Sequence, residues 1–165
     1  MKKMALPALI VTILVQLMVP AYMIYGKYDI LRTGDEYRFS VMPVDPYDAF
    51  RGRYVRLNSP QQVWGSGKYG VIDVGPDGFA YVAEITDAKP VGKPYVTSDS
   101  RNWFRLPIDR YYMAEHLAPR AETYVADMDR DRAAYVTVRI KNGSLVISGL
   151  YVDGVPIEEI VKSIQ

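Results

Sequence analysis

The chain has no cysteine and a single histidine among its 165 residues. Without cysteine there is no disulfide to staple a small fold, no thiolate nucleophile, no iron–sulfur ligation and no cysteine zinc site. The lone His116 has no second imidazole with which to build a metal site, and no Ser-His-Asp spacing surrounds it. An excess of charge of one sign is missing too: 20 Lys and Arg against 19 Asp and Glu leave a formal net charge of +1. A nucleic-acid partner calls for a concentrated basic footprint, so that class is set aside. Internal repeats and low-complexity segments are absent. Tyrosine, by contrast, is used 14 times, and with many Val and Ile it suits pleated, half-buried surfaces.

Charge is also missing from one long stretch, Met4 to Ile24 (MALPALIVTILVQLMVPAYMI), which follows directly on Lys2 and Lys3. At about 1.5 Å of rise per residue, roughly 21 residues of helix cover ~31 Å, close to the ~30 Å hydrocarbon core of a bilayer. A secretory signal would have an apolar middle of about 7–15 residues and a small-x-small cleavage site. Here Ala21 is followed by Tyr22, Met23, Ile24 and Tyr25, so an uncleaved anchor is expected. Its Leu, Ile and Val residues together supply ~3–6 kcal/mol of insertion free energy. Pro7 lies in the first turns, Pro20 is expected to kink or end the helix, and Tyr22, Tyr25 and Tyr28 form an interfacial belt. The positive-inside bias keeps the lysines cytoplasmic and delivers the rest across the membrane.

The expected organisation is an anchor over residues 1–27, a polar juxtamembrane connector over 28–36 broken at Gly34, and one β-rich domain over 37–165. The fold class is mainly β (α+β): an N-terminal transmembrane helix, then a compact antiparallel β-rich domain, a sandwich or partly closed barrel, with one short amphipathic helix. Strands are expected at Tyr37–Met42, Arg53–Asn58, Tyr69–Val74, Phe79–Asp87 and Trp103–Leu106, with 89–102 as a long connection. Gly75-Pro76-Asp77-Gly78 is a turn signal. Ala121, Tyr124, Val125 and Met128 fall at helical spacing behind Pro119. Asn142-Gly143 between the β-branched runs 134–140 and 145–152 signals a type I′ hairpin. Asp153-Gly154 marks a further turn, and Val155–Val161 closes the domain as an edge strand or helical turn.

Gly65-Ser66-Gly67-Lys68-Tyr69-Gly70 matches G-x-G-x-x-G literally, but a phosphate-cradling loop needs a helix after it, and here strand composition follows. Asp127, Asp129 and Asp131 alternate like the opening of a calcium loop, yet Arg132 and Val138 stand where that loop needs Gly and Glu. No metal and no cofactor is expected. The densest polar cluster runs from Asp45 to Leu57. Its prolines, Asx-turn carboxylates at Asp45 and Asp48, and Gly52 suit a rigid corner, with Asp48 and Arg51 as a charge-assisted pair. The functional alternative is an anion or partner site built by Arg51, Arg53 and Arg56.

At these residues the chain resembles the GDYXXLXY family of small bacterial membrane-anchored proteins. Pro43-Val44-Asp45-Pro46-Tyr47-Asp48-Ala49-Phe50-Arg51 fits the family's proline–aspartate segment. Gly52, Tyr54 and Leu57 occupy the naming motif, with Arg53 in place of its Asp and Ser59 in place of its last Tyr. Phe104-Arg105-Leu106, the stretch Arg110 to Glu115, and the hairpin ending at Gly154 extend the likeness. The resemblance implies a bacterial cytoplasmic-membrane location, a multi-pass membrane protein as neighbour, and no transferable catalytic residue. The candidate binding or structural motif is Asp45, Asp48, Phe50, Arg51, Gly52, Arg53, Tyr54, Arg56, Leu57, Tyr111, Tyr112 and Glu115. Two functions are expected to compete. One is a non-enzymatic module that holds lipid through residues 4–25 and docks another envelope protein. The other is an envelope hydrolase or small-ligand-binding enzyme using those carboxylates and arginines.

Overall fold

The computed structural model describes residues 5–43, 54–58, 63, 65–98, 100, 103–114, 116–126 and 132–164. The uncharged run forms one helix, α1 (Ala5–Thr33). Pro20 does not end it: the chain stays helical for three more turns beyond the proline, because the last turns are tied down. Thr33 Oγ1 donates to Asp29 O at 2.8 Å, and Ile30 is buried against the domain. The polar connector expected at 28–36 is therefore not an extended linker. Residues 28–33 are the end of α1, and only Gly34 separates the helix from the first strand. Gly34 donates its N–H to Ile30 O at 2.8 Å. A Cβ there would stand 2.6 Å from that carbonyl and 3.1 Å from Ile140 O, so this abrupt turn accepts only glycine. Among the described residues no helix is long and apolar enough to cross a membrane; the side chains of 5–8, 10 and 11, the apolar start of the run, lie outside the description.

Among the described residues nine strands follow in two antiparallel sheets: β1 (Asp35–Pro43), β2 (Tyr54–Asn58), β3 (Tyr69–Val74), β4 (Ala80–Thr86), β5 (Tyr95–Thr97), β6 (Arg110–Tyr112), β7 (Ala134–Lys141), β8 (Ser144–Val152) and β9 (Val155–Pro156). The larger sheet has the order β6-β2-β1-β7-β8-β9 and the smaller one β4-β3-β5. At the centre of the large sheet Phe39, Val136 and Leu150 sit side by side across three strands, each fully buried. Alternation drives this: in β7, Val136, Val138 and Ile140 turn inward while Tyr135, Arg139 and Lys141 are half-exposed. Asn142 (φ 51°) and Gly143 (φ 79°) supply the two positive φ angles of the hairpin turn. Asp153 and Gly154 repeat the device, with φ of 50° and 81°.

The β-rich class and its antiparallel sheets match the expectation, and the larger sheet does not close into a barrel: its hydrogen-bonded ladder stays open. The sheet nevertheless curls, since the edge strand β6 touches β8, the neighbour of the opposite edge strand β9. Three further details differ. The connection 89–102 contains β5, which pairs with β3 at Tyr69↔Thr97. Trp103–Leu106 is no strand; it makes a single bridge, Phe104↔Gly65. There Ser98 Oγ donates to Trp103 O at 2.8 Å and accepts from Arg105 N at 3.1 Å, so a side chain satisfies backbone groups that a ladder would otherwise use. Among the described residues two short helices stand outside α1 instead of one: α2 (Ala118–Ala126) and α3 (Ile157–Ser163). In α2, Ala121 is buried and Tyr124 half-buried, as the stripe requires, while the Val125 side chain and Met128 fall outside the described residues. The closing segment is both things expected of it, β9 followed by α3. One core cluster joins the two sheets to α2 and α3.

Candidate functional site

The two sequence-distant segments singled out above meet on adjacent strands. β2 pairs with β6 in antiparallel register, Tyr54↔Tyr112, Val55↔Tyr111 and Arg56↔Arg110. Leu57 is buried in the core, and its N–H donates to Asp109 O at 2.9 Å. Around the outer side of this strand pair Asp109 Oδ2 accepts from Arg105 Nη2 at 3.2 Å and lies 3.7 Å from Arg110 Nε. Tyr112 is exposed, whereas Tyr111 points inward and is half-buried.

Tyr111 makes the most distinctive contact of the region. Its hydroxyl donates to Glu158 Oε1 at 2.5 Å, across 47 residues of sequence. Glu158 stands in the first turn of α3, directly after β9, where a carboxylate also suits the helix dipole. The contact therefore bridges the two open edges of the large sheet through side chains. Burial, then the hydrogen bond and charge of Glu158, push the Tyr111 phenol well above the usual tyrosine range. In this pair the phenol is the hydrogen-bond donor, and the bond clasps β6 to α3. Glu158 had no signal in the sequence beyond its place at a helix start, because a contact across 47 residues leaves no local pattern.

Asp45, Asp48, Phe50, Arg51, Gly52, Arg53 and Glu115 lie outside the described residues, as do Asp127, Asp129 and Asp131; for Tyr54 and Arg56 the backbone alone is described. His116 is exposed, and among the described residues no three His, Asp or Glu side chains group as metal ligands. The G-x-G-x-x-G stretch runs straight into β3. Its last glycine, Gly70, is small because a Cβ there would fall among the Phe104 ring carbons.

A second polar constellation, unforeseen from sequence, joins α1 to the β7–β8 hairpin. Lys141 Nζ donates to Asp29 Oδ2 at 2.6 Å and to Thr33 Oγ1 at 2.7 Å. Arg139 pairs with Glu36 at 2.6 Å and donates to Gly34 O at 3.1 Å. The hydrogen bond from Lys141 holds the Asp29 carboxyl below the usual carboxylate range. Two open clefts flank this junction. One, of about 540 Å³, lies between α1 at Tyr22, Met23, Gly26 and Lys27 and the hairpin at Lys141, Asn142 and Ser144. The other, of about 410 Å³, lies between the hairpin and the 90–95 segment.

No curated protein and no solved structure matches the chain. A family model does: GDYXXLXY protein, over residues 16–150. That span takes in the second half of α1, both strands that carry the motif segments, and the β7–β8 hairpin nearly to its end. The chain belongs to the GDYXXLXY family.

Proposed function

We propose that this protein is a single-pass, membrane-anchored accessory module. Its β-rich domain stands outside the cytoplasm, with the N-terminus inside, and docks onto another envelope or membrane protein, a multi-pass one in the family's usual setting. The observation that carries the anchor is the exposure of α1. Every residue from Thr12 to Tyr28 is exposed, including Leu14 at 55 %, Met18 at 66 % and Ile24 at 68 %. Leu, Ile, Val and Met occur on all sides of this stretch, and a helix apolar all round needs an apolar medium. Lipid over residues 4–25 supplies one. Support for a docking rather than a catalytic role is the clasped Tyr111, a group committed to holding sheet edges together.

A topology assay tests the reading. A C-terminal reporter is expected to be active outside the cytoplasm, and added protease is expected to digest the domain in spheroplasts whose cytoplasmic membrane is intact; a domain cut only after that membrane is lysed overturns the proposal. Leu14→Arg with Leu17→Arg costs roughly 5–7 kcal/mol at mid-helix, against the ~3–6 kcal/mol that Leu, Ile and Val contribute. The double variant should leave the membrane fraction. Purification in mild detergent should bring a second chain with the wild type, and a protein that emerges alone and monomeric refutes the docking role.

A further inference from the structure

We propose that the α1-proximal end of the domain is itself a lipid-binding surface, with the loop Lys89-Pro90-Val91-Gly92-Lys93 inserting Val91 among the headgroups of anionic lipids. The inference rests on the anchor reading above and deepens it. Val91 is the most exposed large apolar side chain described, at 93 %, and it is flanked by two lysines and held in a tight bend with Gly92 at φ 72°. An exposed valine between lysines gains nothing in water. At a bilayer boundary the methyls enter the acyl edge while the ammonium groups meet phosphate.

The loop stands at the right height. The hairpin turn Asn142 to Ser144 lies alongside Tyr22 to Gly26, where the uncharged run of α1 ends. Pro90, Gly92 and Lys93 share the neighbouring cleft with that same turn and with Thr33. Thr97 N donates to Gly143 O at 2.8 Å, fastening the small sheet to the turn. Lys89 lies 5.9 Å from the Tyr95 ring centroid and Lys68 lies 5.6 Å from that of Tyr69, and the two rings meet edge to face at 5.6 Å. The segments that converge here, 27–35, 68–69, 87–95 and 141–144, carry Lys27, Arg32, Lys68, Lys89, Lys93 and Lys141. Against these stand Asp29, Asp35 and Asp87, and Asp29 is already bonded to Lys141. The excess of positive charge lies on the end that the anchor holds against the bilayer, and the Lys141–Asp29 and Arg139–Glu36 contacts keep that end in place. Anionic headgroups are the complementary surface.

The absence of native cysteine makes the test direct, since each introduced thiol is unique. The full chain carrying Val91→Cys, Leu14→Cys or Val155→Cys is spin-labelled and reconstituted into phosphatidylcholine vesicles with or without about 30 % phosphatidylglycerol, enough to set up a negative surface potential. Collisions with oxygen, which favours lipid, are compared with collisions with a water-soluble nickel chelate. The V91C label is expected to report lipid contact in the anionic vesicles, to lose it at about 1 M salt, where the screening length is near 3 Å, and to remain in water in neutral vesicles. Lys89→Glu with Lys93→Glu should lower the lipid-facing population by on the order of tenfold or more, at roughly fivefold per lysine. The V155C label, beside the far turn at Asp153-Gly154, should stay in water throughout. A V91C label in water in both vesicles, while L14C reports lipid, overturns this inference and leaves the anchor standing. Lipid contact by V91C that ignores headgroup charge and both lysines overturns the anionic recognition. An L14C label in water overturns the anchor reading instead.

Discussion

Tyr111→Phe isolates one bond. The ring and its packing are kept, and only the hydroxyl that donates to Glu158 Oε1 at 2.5 Å is removed. A hydrogen bond to a charged acceptor contributes about 1.5–3 kcal/mol net, and partial exposure of this pair favours the lower end of that range. For a domain of this size each kcal/mol moves the melting midpoint by roughly 3–5 °C, so a loss of roughly 5–10 °C is expected in thermal unfolding of the detergent-solubilised full chain followed by circular dichroism. Glu158→Gln keeps an acceptor carbonyl and should cost less. The double variant should show a coupling of at least about 0.5 kcal/mol, the signature of a shared bond. Alkaline titration gives an independent reading. Because folding raises the Tyr111 pKa, its stabilising contribution is complete below the unfolded value of about 10 and is lost as pH climbs through the folded one. Tyr37, also raised, chiefly by burial, adds to that slope and remains in Y111F. The variant should therefore lose stability less steeply above pH ~10 than the wild type. A Y111F melting point within the error of wild type, together with zero coupling to E158Q, would refute the clasp between the sheet edges.

Gly70→Ala should destabilise the domain by about 1–3 kcal/mol, since the new methyl meets the Phe104 ring in a packed core; chemical denaturation measures it, and an unchanged midpoint means that the ring has room to move. The Asp29 carboxyl, held low by the Lys141 hydrogen bond, should secure the α1–hairpin junction above its unfolded pKa of about 3.9 and release it as pH falls through the lower folded value. Labels on Tyr22→Cys and Asn142→Cys should separate in that acid range in the wild type and at neutral pH in Lys141→Met. A distance that stays constant in both would show that the ion pair does not hold the junction.

Legibility followed the range of each interaction. The β7–β8 hairpin could be read residue by residue, because Asn142-Gly143 must take positive φ and the flanking Val and Ile alternate with period two. The turn at Gly75-Gly78 was equally local. Strand β5 could not be read, since three residues amid Pro90, Gly92 and Pro94 carry no period and pair only because β3 offers an edge. Phe104 and Leu106 looked like a strand for the opposite reason: their alternate burial is real, but Ser98 takes the backbone bonds that a partner strand would have taken. At the site, the residues of β2 stood out by their local chemistry and those of β6 by the family resemblance, and their pairing came from the fold. The Lys141–Asp29 junction was missed because its partners are 112 residues apart.

What the order of residues determined alone was whatever chain-local physics decides: an uncharged N-terminal run that winds into helix, turns that demand glycine or asparagine, alternating strands, and the chemistry excluded by absent cysteine and a single histidine. Tertiary structure decided where the distant pieces meet. It set β2 beside β6, bound Tyr111 to Glu158 across the open sheet, and locked α1 onto the hairpin so that lysines from four segments gather at one end. These contacts depend on packing a common core, which brings side chains together according to strand order and curvature and not according to their separation along the chain.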